Sequence, residues 1–362
     1  MKRHLVPCLA LSASLILTGC SSGQTHEETL LSQAAGIASD AAVLSVDGRD
    51  VPAWQVLYWL AYACDYIAAS YEDGAIQWND TVEGETLEDY AKDQALQNAV
   101  LYATVENWAE DYGCTLDDED RTAMDREWAA KAAQYGGEDA YLAELAKMGL
   151  DRSGAERLSQ DSYLYQHLYD LFETEDSALH PSDQDLETFA REQQYLTVDH
   201  IWISTAAGAP SDTAYISGRR ARAEEVFSKL NASPDPMNDF AVLAETYSDE
   251  TNRDQHPTGY TCTVGDGTLP ANCEEAAQSL EEGQWSGILE ADDGFYLILR
   301  KPVDLEAVAP DYFDALLQAA ADSAEVSVSK AYERLSARQF YDALTAGRSA
   351  LENPSSEQTA DS

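Results

Sequence analysis

Basic residues are scarce in this chain. It has 22 lysines and arginines against 66 aspartates and glutamates, a formal charge of −44 over 362 residues. Such a field repels phosphates, which excludes nucleic acid as a partner, and it argues equally against tight docking on anionic lipid. Long apolar runs are missing as well. Beyond the first twenty residues no segment holds about 18 uninterrupted apolar residues, so none reads as a membrane span. The C-x-x-C pattern occurs nowhere, which removes a thioredoxin-like redox pair and a zinc knuckle. The histidines, at 4, 26, 167, 180, 200 and 256, show no ligand spacing, so no metal is assigned, and no motif calls for a cofactor. The hydrophobic content of 44% is ordinary for a globular chain, and the length suits roughly two domains.

What is present begins with a targeting segment. Lys2, Arg3 and His4 make a basic start, and Leu5 to Leu17 is mostly apolar and uncharged. That run suits a signal-peptide core better than a span. Leu17-Thr18-Gly19-Cys20 follows and resembles a bacterial lipoprotein box. The resemblance implies that residues 1–19 are removed, that Cys20 is lipidated, and that the chain is held on the extracytoplasmic face of a cell membrane. Removing 1–19 takes Lys2 and Arg3 and no acid, leaving 20 basic against 66 acidic residues and a charge of −46. Residues 20–40 then read as a lipidated, polar tether, and 351–362 as a disordered tail.

Four cysteines remain after Cys8 and Cys20: Cys64, Cys114, Cys262 and Cys273. Four permit three pairings. Sequence-local pairing would join Cys64 to Cys114 and Cys262 to Cys273; buried free thiols are the alternative.

The N-terminal half is dominated by helical periodicity. Val43 to Pro52 reads as a strand and a turn at Asp47-Gly48, with Pro52 tolerated at a helix start. Trp54, Leu57, Tyr58, Ala61 and Tyr62 then form an apolar stripe at helical spacing. Thr86 to Tyr112 predicts a long helix that Gly113 stops. Acids at 117–120 favour the start of the next one, and further helices are expected over 138–148, 153–174 and 182–193. The Trp and Tyr residues of this half serve a core or a client-binding cleft.

The stretch from Val198 to Pro302 carries the chemistry. It opens on a strand-like run, Val198-Asp199-His200-Ile201-Trp202-Ile203, and closes on Gly294-Phe295-Tyr296-Leu297-Ile298-Leu299-Arg300. Strand alternation puts His200 and Trp202 on one face and Ile201 and Ile203 on the other. Between the strands come two amphipathic helices, the second reading Phe240-Ala241-Val242-Leu243-Ala244-Glu245-Thr246-Tyr247-Ser248. Thr258-Gly259, Gly267-Thr268-Leu269 and Glu281-Glu282-Gly283-Gln284-Trp285 follow. In this order the segments resemble the parvulin-type peptidyl-prolyl isomerase domain. Helices before and after it, with a Val-Asp-Gly turn at the start, resemble the extracytoplasmic foldases of the PrsA and SurA type.

That resemblance implies an α+β fold. A discontinuous, all-helical chaperone lobe, 41–195 plus 305–350, would carry an inserted parvulin-like domain, 196–304, with a four-stranded antiparallel sheet. It implies isomerisation of Xaa-Pro bonds in exported proteins; a non-catalytic holdase is the alternative. The partners implied are unfolded exported polypeptides and, through Cys20, the membrane, and a homodimer stays open. The site it implies has His200, Glu250 and Tyr296 as catalytic groups, with Leu269, Cys273, Trp202 and Asp293 binding substrate. The match is incomplete. Glu250 stands where the family has Asp or Cys, Cys273 where it has an aromatic slot residue, Cys262 where it has glycine, and Tyr296 where it has a second histidine. A Cys262–Cys273 bridge would account for two of these changes together. No basic cluster is present for reading a phosphate.

Overall fold

A computed structural model describes residues 29–207 and 212–353. Cys20, the signal segment and residues 354–362 lie outside the described residues. The chain divides into two compact units. One comprises the described residues through His180 together with those from Ala315 onward; the other runs Pro181–Asp314.

The first unit is built along the chain from α1 (Leu30–Ala35), β1 (Ala42–Val46), β2 (Arg49–Pro52), α2 (Ala53–Ala68), a ribbon of β3 (Thr81–Val82) and β4 (Glu85–Thr86), α3 (Leu87–Tyr112), α4 (Asp118–Tyr135), α5 (Glu138–Lys147) and α6 (Arg152–Glu173). The local chemistry explains the boundaries. The Thr86 hydroxyl accepts from Asp89 N–H at the start of α3, and Gly113 ends it in the left-handed region at φ 73°. Asp117 and Asp120 cap α4 reciprocally.

The second unit contributes α7 (Asp183–Glu192), β5 (Tyr195–Ser204), α8 (Thr213–Ala232), α9 (Pro236–Tyr247), β6 (Tyr260–Thr263), α10 (Ala271–Ser279), β7 (Leu289–Ala291) and β8 (Gly294–Lys301). Then α11 (Leu305–Ser323) leads back to the first unit, which ends with β9 (Val326–Val328), α12 (Lys330–Glu333) and α13 (Ala337–Glu352). The antiparallel sheet of the second unit has the order β6-β5-β8-β7. One face buries Ile201, Ile203, Phe295 and Leu297 against Val226 and Leu230 of α8 and Phe240 of α9. The other packs Val198, Cys262, Tyr296 and Ile298 against Cys273 and Ala277 of α10. The fold is therefore the mixed, helix-rich α+β architecture with the four-stranded sheet that the sequence implies.

Several expectations need correction. The tract 20–40 is not all tether: Leu30–Ala35 is helical, capped by the Thr29 hydroxyl, and Leu31 is fully buried. Its docking depends on Gly149, where a Cβ would sit 2.2 Å from the Leu31 side chain. The helical lobe is not all-helical either. β9 pairs antiparallel with β1 through Leu44↔Val328 and Val46↔Val326, making a sheet of order β2-β1-β9. Helix α7, expected in the lobe, packs inside the second unit, its Phe189 ring 5.2 Å from Tyr312. The last helix, α13, runs to Glu352, past the expected start of the tail. Cys64, Cys114, Cys262 and Cys273 are all free thiols, so neither expected bridge forms. Cys262 and Cys273 sit instead as small apolar side chains in the packed face beneath α10. Burial raises both thiols, Cys262 to about 11 and Cys273 to about 12.

Candidate active site of the second unit

Strand β5 runs the length of the sheet, but β6 pairs with it only from Tyr195 to Val198. Beyond Val198 that edge of β5 is taken by the turn that follows α9. The Ser248 hydroxyl accepts from Trp202 N–H at 3.0 Å, Asp249 N–H donates to Trp202 C=O at 2.7 Å, and Asp249 accepts from Ser204 N–H at 2.9 Å. Arg219 also binds the Asp249 carboxylate. Satisfying backbone groups that a missing strand would leave bare, this turn places the next residue, Glu250, opposite the strand histidine. His200 Nε2 and Glu250 Oε2 lie 3.3 Å apart. The Ser248-x-Glu250 spacing is thus a positioning device: a serine zipped to β5 and a carboxylate two residues on.

A second carboxylate braces the same histidine from behind. Asp199 accepts His200 N–H at 2.8 Å and is gripped by both terminal nitrogens of Arg253, at 2.6 and 2.7 Å. Arg253 belongs to the short turn after Glu250, so the loop is tied down at both ends. Such bidentate, charge-assisted pairs fix geometry as well as adding energy. Burial lowers the His200 pKa from its ordinary value, against the upward pull of Glu250 and Asp199. The imidazole is therefore neutral at neutral pH, and its Nδ1 has no hydrogen-bond partner.

The remaining expected residues fall on the same sheet face. Trp202 is directly opposite Tyr296 across the β5–β8 ladder, with ring centroids 6.2 Å apart. Tyr296 donates its hydroxyl to Asp293 at 2.8 Å, and burial followed by that carboxylate holds its pKa far above the ordinary phenol value. Leu269 and Cys273 join the apolar cluster below. Asp293 is exposed and Trp202 half-buried. The structure so brings His200, Glu250, Tyr296, Trp202, Leu269, Cys273 and Asp293 to one region.

It also brings Tyr260, which sequence reasoning passed over. The Tyr260 ring lies 4.7 Å from His200 and 4.2 Å from His256, and its hydroxyl is buried without a partner. Gly259 makes this approach feasible: at φ 111°, its absent Cβ would stand 2.7 Å from Val198 C=O. The signal was available, since Tyr260 and Cys262 alternate onto one face of β6. Tyr260 completes a tightly packed apolar cluster on this face. Leu269 is 5% exposed, Cys273 0%, Tyr296 6% and His200 5%. Among the described residues no group of three or more His, Cys, Asp or Glu side chains is placed to hold a metal ion.

Residues 200–301 match the rotamase family described as the PPIC-type PPIASE domain. No curated protein matches the chain. Among solved structures it is similar to the foldase protein PrsA from Streptococcus pneumoniae, at 17% identity over 74% of this chain and 92% of that one, with a TM-score of 0.27. PrsA from Bacillus subtilis is 16% identical over 78% of this chain and 93% of that one, TM-score 0.26. A structure from Campylobacter jejuni, from work on two SurA-like chaperones, is 13% identical over 67% and 91%, TM-score 0.23. The second unit accordingly contains a parvulin-type, PPIC-class domain.

Proposed function

We propose that this chain is an extracytoplasmic foldase, held to a membrane by lipid on Cys20, that accelerates cis/trans exchange at Xaa-Pro bonds of exported polypeptides. The barrier is the loss of amide resonance, about 18–20 kcal/mol. A catalyst needs neither nucleophile nor metal. It must hold the pyrrolidine ring and favour the twisted amide over the planar one, because only interactions stronger at the barrier top raise the rate. The observation that carries this reading is the His200–Glu250 pair at 3.3 Å, set at the edge of the apolar cluster that includes Leu269. A neutral imidazole held by Glu250 offers a fixed polar group beside the rotating carbonyl. The Tyr296 hydroxyl stands where the family has its second histidine, with its single proton donated to Asp293.

A second reading is favoured by the tight packing of this face. With Leu269, Cys273 and Tyr296 almost wholly buried, a proline ring enters only if this packing yields. The chain would then work chiefly by gripping unfolded clients, with little rotamase activity. One experiment separates the two. Isomerisation of a Xaa-Pro peptide is measured with the chain lacking residues 1–20, beside His200→Ala, together with suppression of client aggregation. Weak acceleration that falls roughly tenfold or more in the variant, as loss of one preorganised group does, supports catalysis. Aggregation suppressed without any acceleration supports the holdase.

A further inference from the structure

The first unit buries an acid that meets no donor. Asp161, on α6, is 1% exposed, and neither of its carboxyl oxygens has a donor beside it. An ionised carboxylate there would be desolvated with nothing to offset the cost. The group within hydrogen-bonding reach is the Glu106 carboxyl of α3. Two carboxylates both accept, so they bond only when a proton lies between them.

The surrounding charges show which of the two carries it. Glu106 is 7% exposed and is held by Arg157 at 2.8 Å and by Arg49 at 3.5 Å. Arg49, on β2, is shared further with Glu110 and Asn107. Both arginines thus attend Glu106, and among the described residues no cation forms an ion pair with Asp161. Tyr102 of α3 is the other titratable neighbour. Burial and the Asp161 charge hold that phenol well above its ordinary value, so it is neutral, with Tyr58 and Tyr62 of α2 beyond it. Burial first, and the Glu106 charge second, raise the Asp161 pKa well above the ordinary carboxylate value, against the pull of Arg157 and Arg49. The proton therefore sits on Asp161, whose O–H donates to Glu106. Glu106 and Arg157 also line a cavity of about 300 Å³, which gives that proton a way out.

Helix α6 covers more than α3. Its Ala155 and Leu158 belong to a cluster against which Trp54, Tyr58 and Trp59 of α2 are packed. We propose that Asp161 and Glu106 form a proton-held clasp between α6 and α3, closed while the proton is present and loosened when it leaves, so that the aromatic side chains of α2 are then uncovered. The device stands whether or not the second unit is catalytic. Its sign is fixed by linkage. The unfolded aspartate has a value of about 3.9, and the folded one lies higher, so the folded chain binds the proton more tightly. The stability the clasp gives is whole below about pH 4 and is lost as pH rises through the folded value.

The test is the thermal midpoint of the chain lacking residues 1–20 against pH, beside Asp161→Asn. The amide is permanently neutral and still donates to Glu106. The two chains should agree at about pH 4 and part as pH rises, the variant ending at least about 2–4 °C above the parent at the alkaline end. Hydrogen exchange, corrected for its own pH dependence, should show α6 losing protection in the parent and keeping it in the variant, with α8 level in both. Infrared spectroscopy reads the parent alone, and so decides even if the variant does not fold. At about pH 6, where an ordinary aspartate is ionised, a carboxylic-acid C=O band is expected that moves when aspartate carboxyls carry carbon-13. A missing band overturns the proposal, and so do midpoint curves that run parallel or α6 protection that falls equally in both chains.

Discussion

Tyr260 packs its ring against His200, with centroids 4.7 Å apart, and its hydroxyl is buried without a partner. On the isomerase reading, a proline ring seated beside His200 would have to displace it. Tyr260→Ala should therefore move two quantities in opposite directions. Removing a buried aromatic side chain costs about 3 kcal/mol or more of stability, seen as a lower denaturant midpoint. On the isomerase reading, turnover of a Xaa-Pro peptide should rise several-fold, because the ring packed against His200 is removed. A variant that folds and is no faster would mean that the tyrosine is only packing. His200 makes a separate prediction about pH. Its folded pKa lies below the ordinary 6.5 because it is buried, so the unfolded chain binds the proton first. The stability it contributes is complete above about 6.5 and is lost as pH falls through the lower folded value. The acid-side slope of thermal midpoint against pH should be shallower in His200→Asn than in the parent chain. Strand alternation puts His200 and Trp202 on one face, whereas Glu250, Leu269 and Tyr296 are named only through the resemblance to the parvulin domain. Tyr260 is not legible in the same way, because its approach to His200 depends on Gly259 at positive φ, a backbone feature that side-chain patterning does not display.

At the level of elements, the legible parts were those whose hydrophobic period repeats over several turns. Helices α3, α5, α6 and α7 lie within a residue or two of where their stripes and caps put them. The missed parts are short and held from a distance. Strand β9 is three residues, Val326-Ser327-Val328, and becomes a strand only because β1, nearly the whole chain away, offers it a ladder. Helix α1 is six residues in a Ser- and Ala-rich tract. No isolated helix of that length is stable in water; tertiary burial of Leu31 supplies what local propensity lacks. Leu31→Ala should accordingly cost about 2–5 kcal/mol, the range for a fully buried leucine, despite lying where composition suggests a linker. Chemical denaturation reads this directly, and a loss below about 0.5 kcal/mol would return the segment to tether status.

The whole molecule is governed by its charge. With 66 acidic and 22 basic residues, most carboxylates have no cation to meet, and the folded state concentrates them. Individual ion pairs do not offset this. Arg348–Asp65 at 2.7 Å and Arg253–Asp199 at 2.6 Å are each partly buried and local, whereas the repulsion is summed over every acid on the surface. Added salt distinguishes the two. The screening length shortens from about 30 Å at 0.01 M to about 3 Å at 1 M, which weakens the diffuse repulsion strongly and the short, desolvated pairs much less. The thermal midpoint should therefore climb as sodium chloride is raised across that range, with the steepest gain at the low end. A midpoint that falls with salt would mean that the few cations, and not the surplus of acids, set the electrostatic balance of this fold.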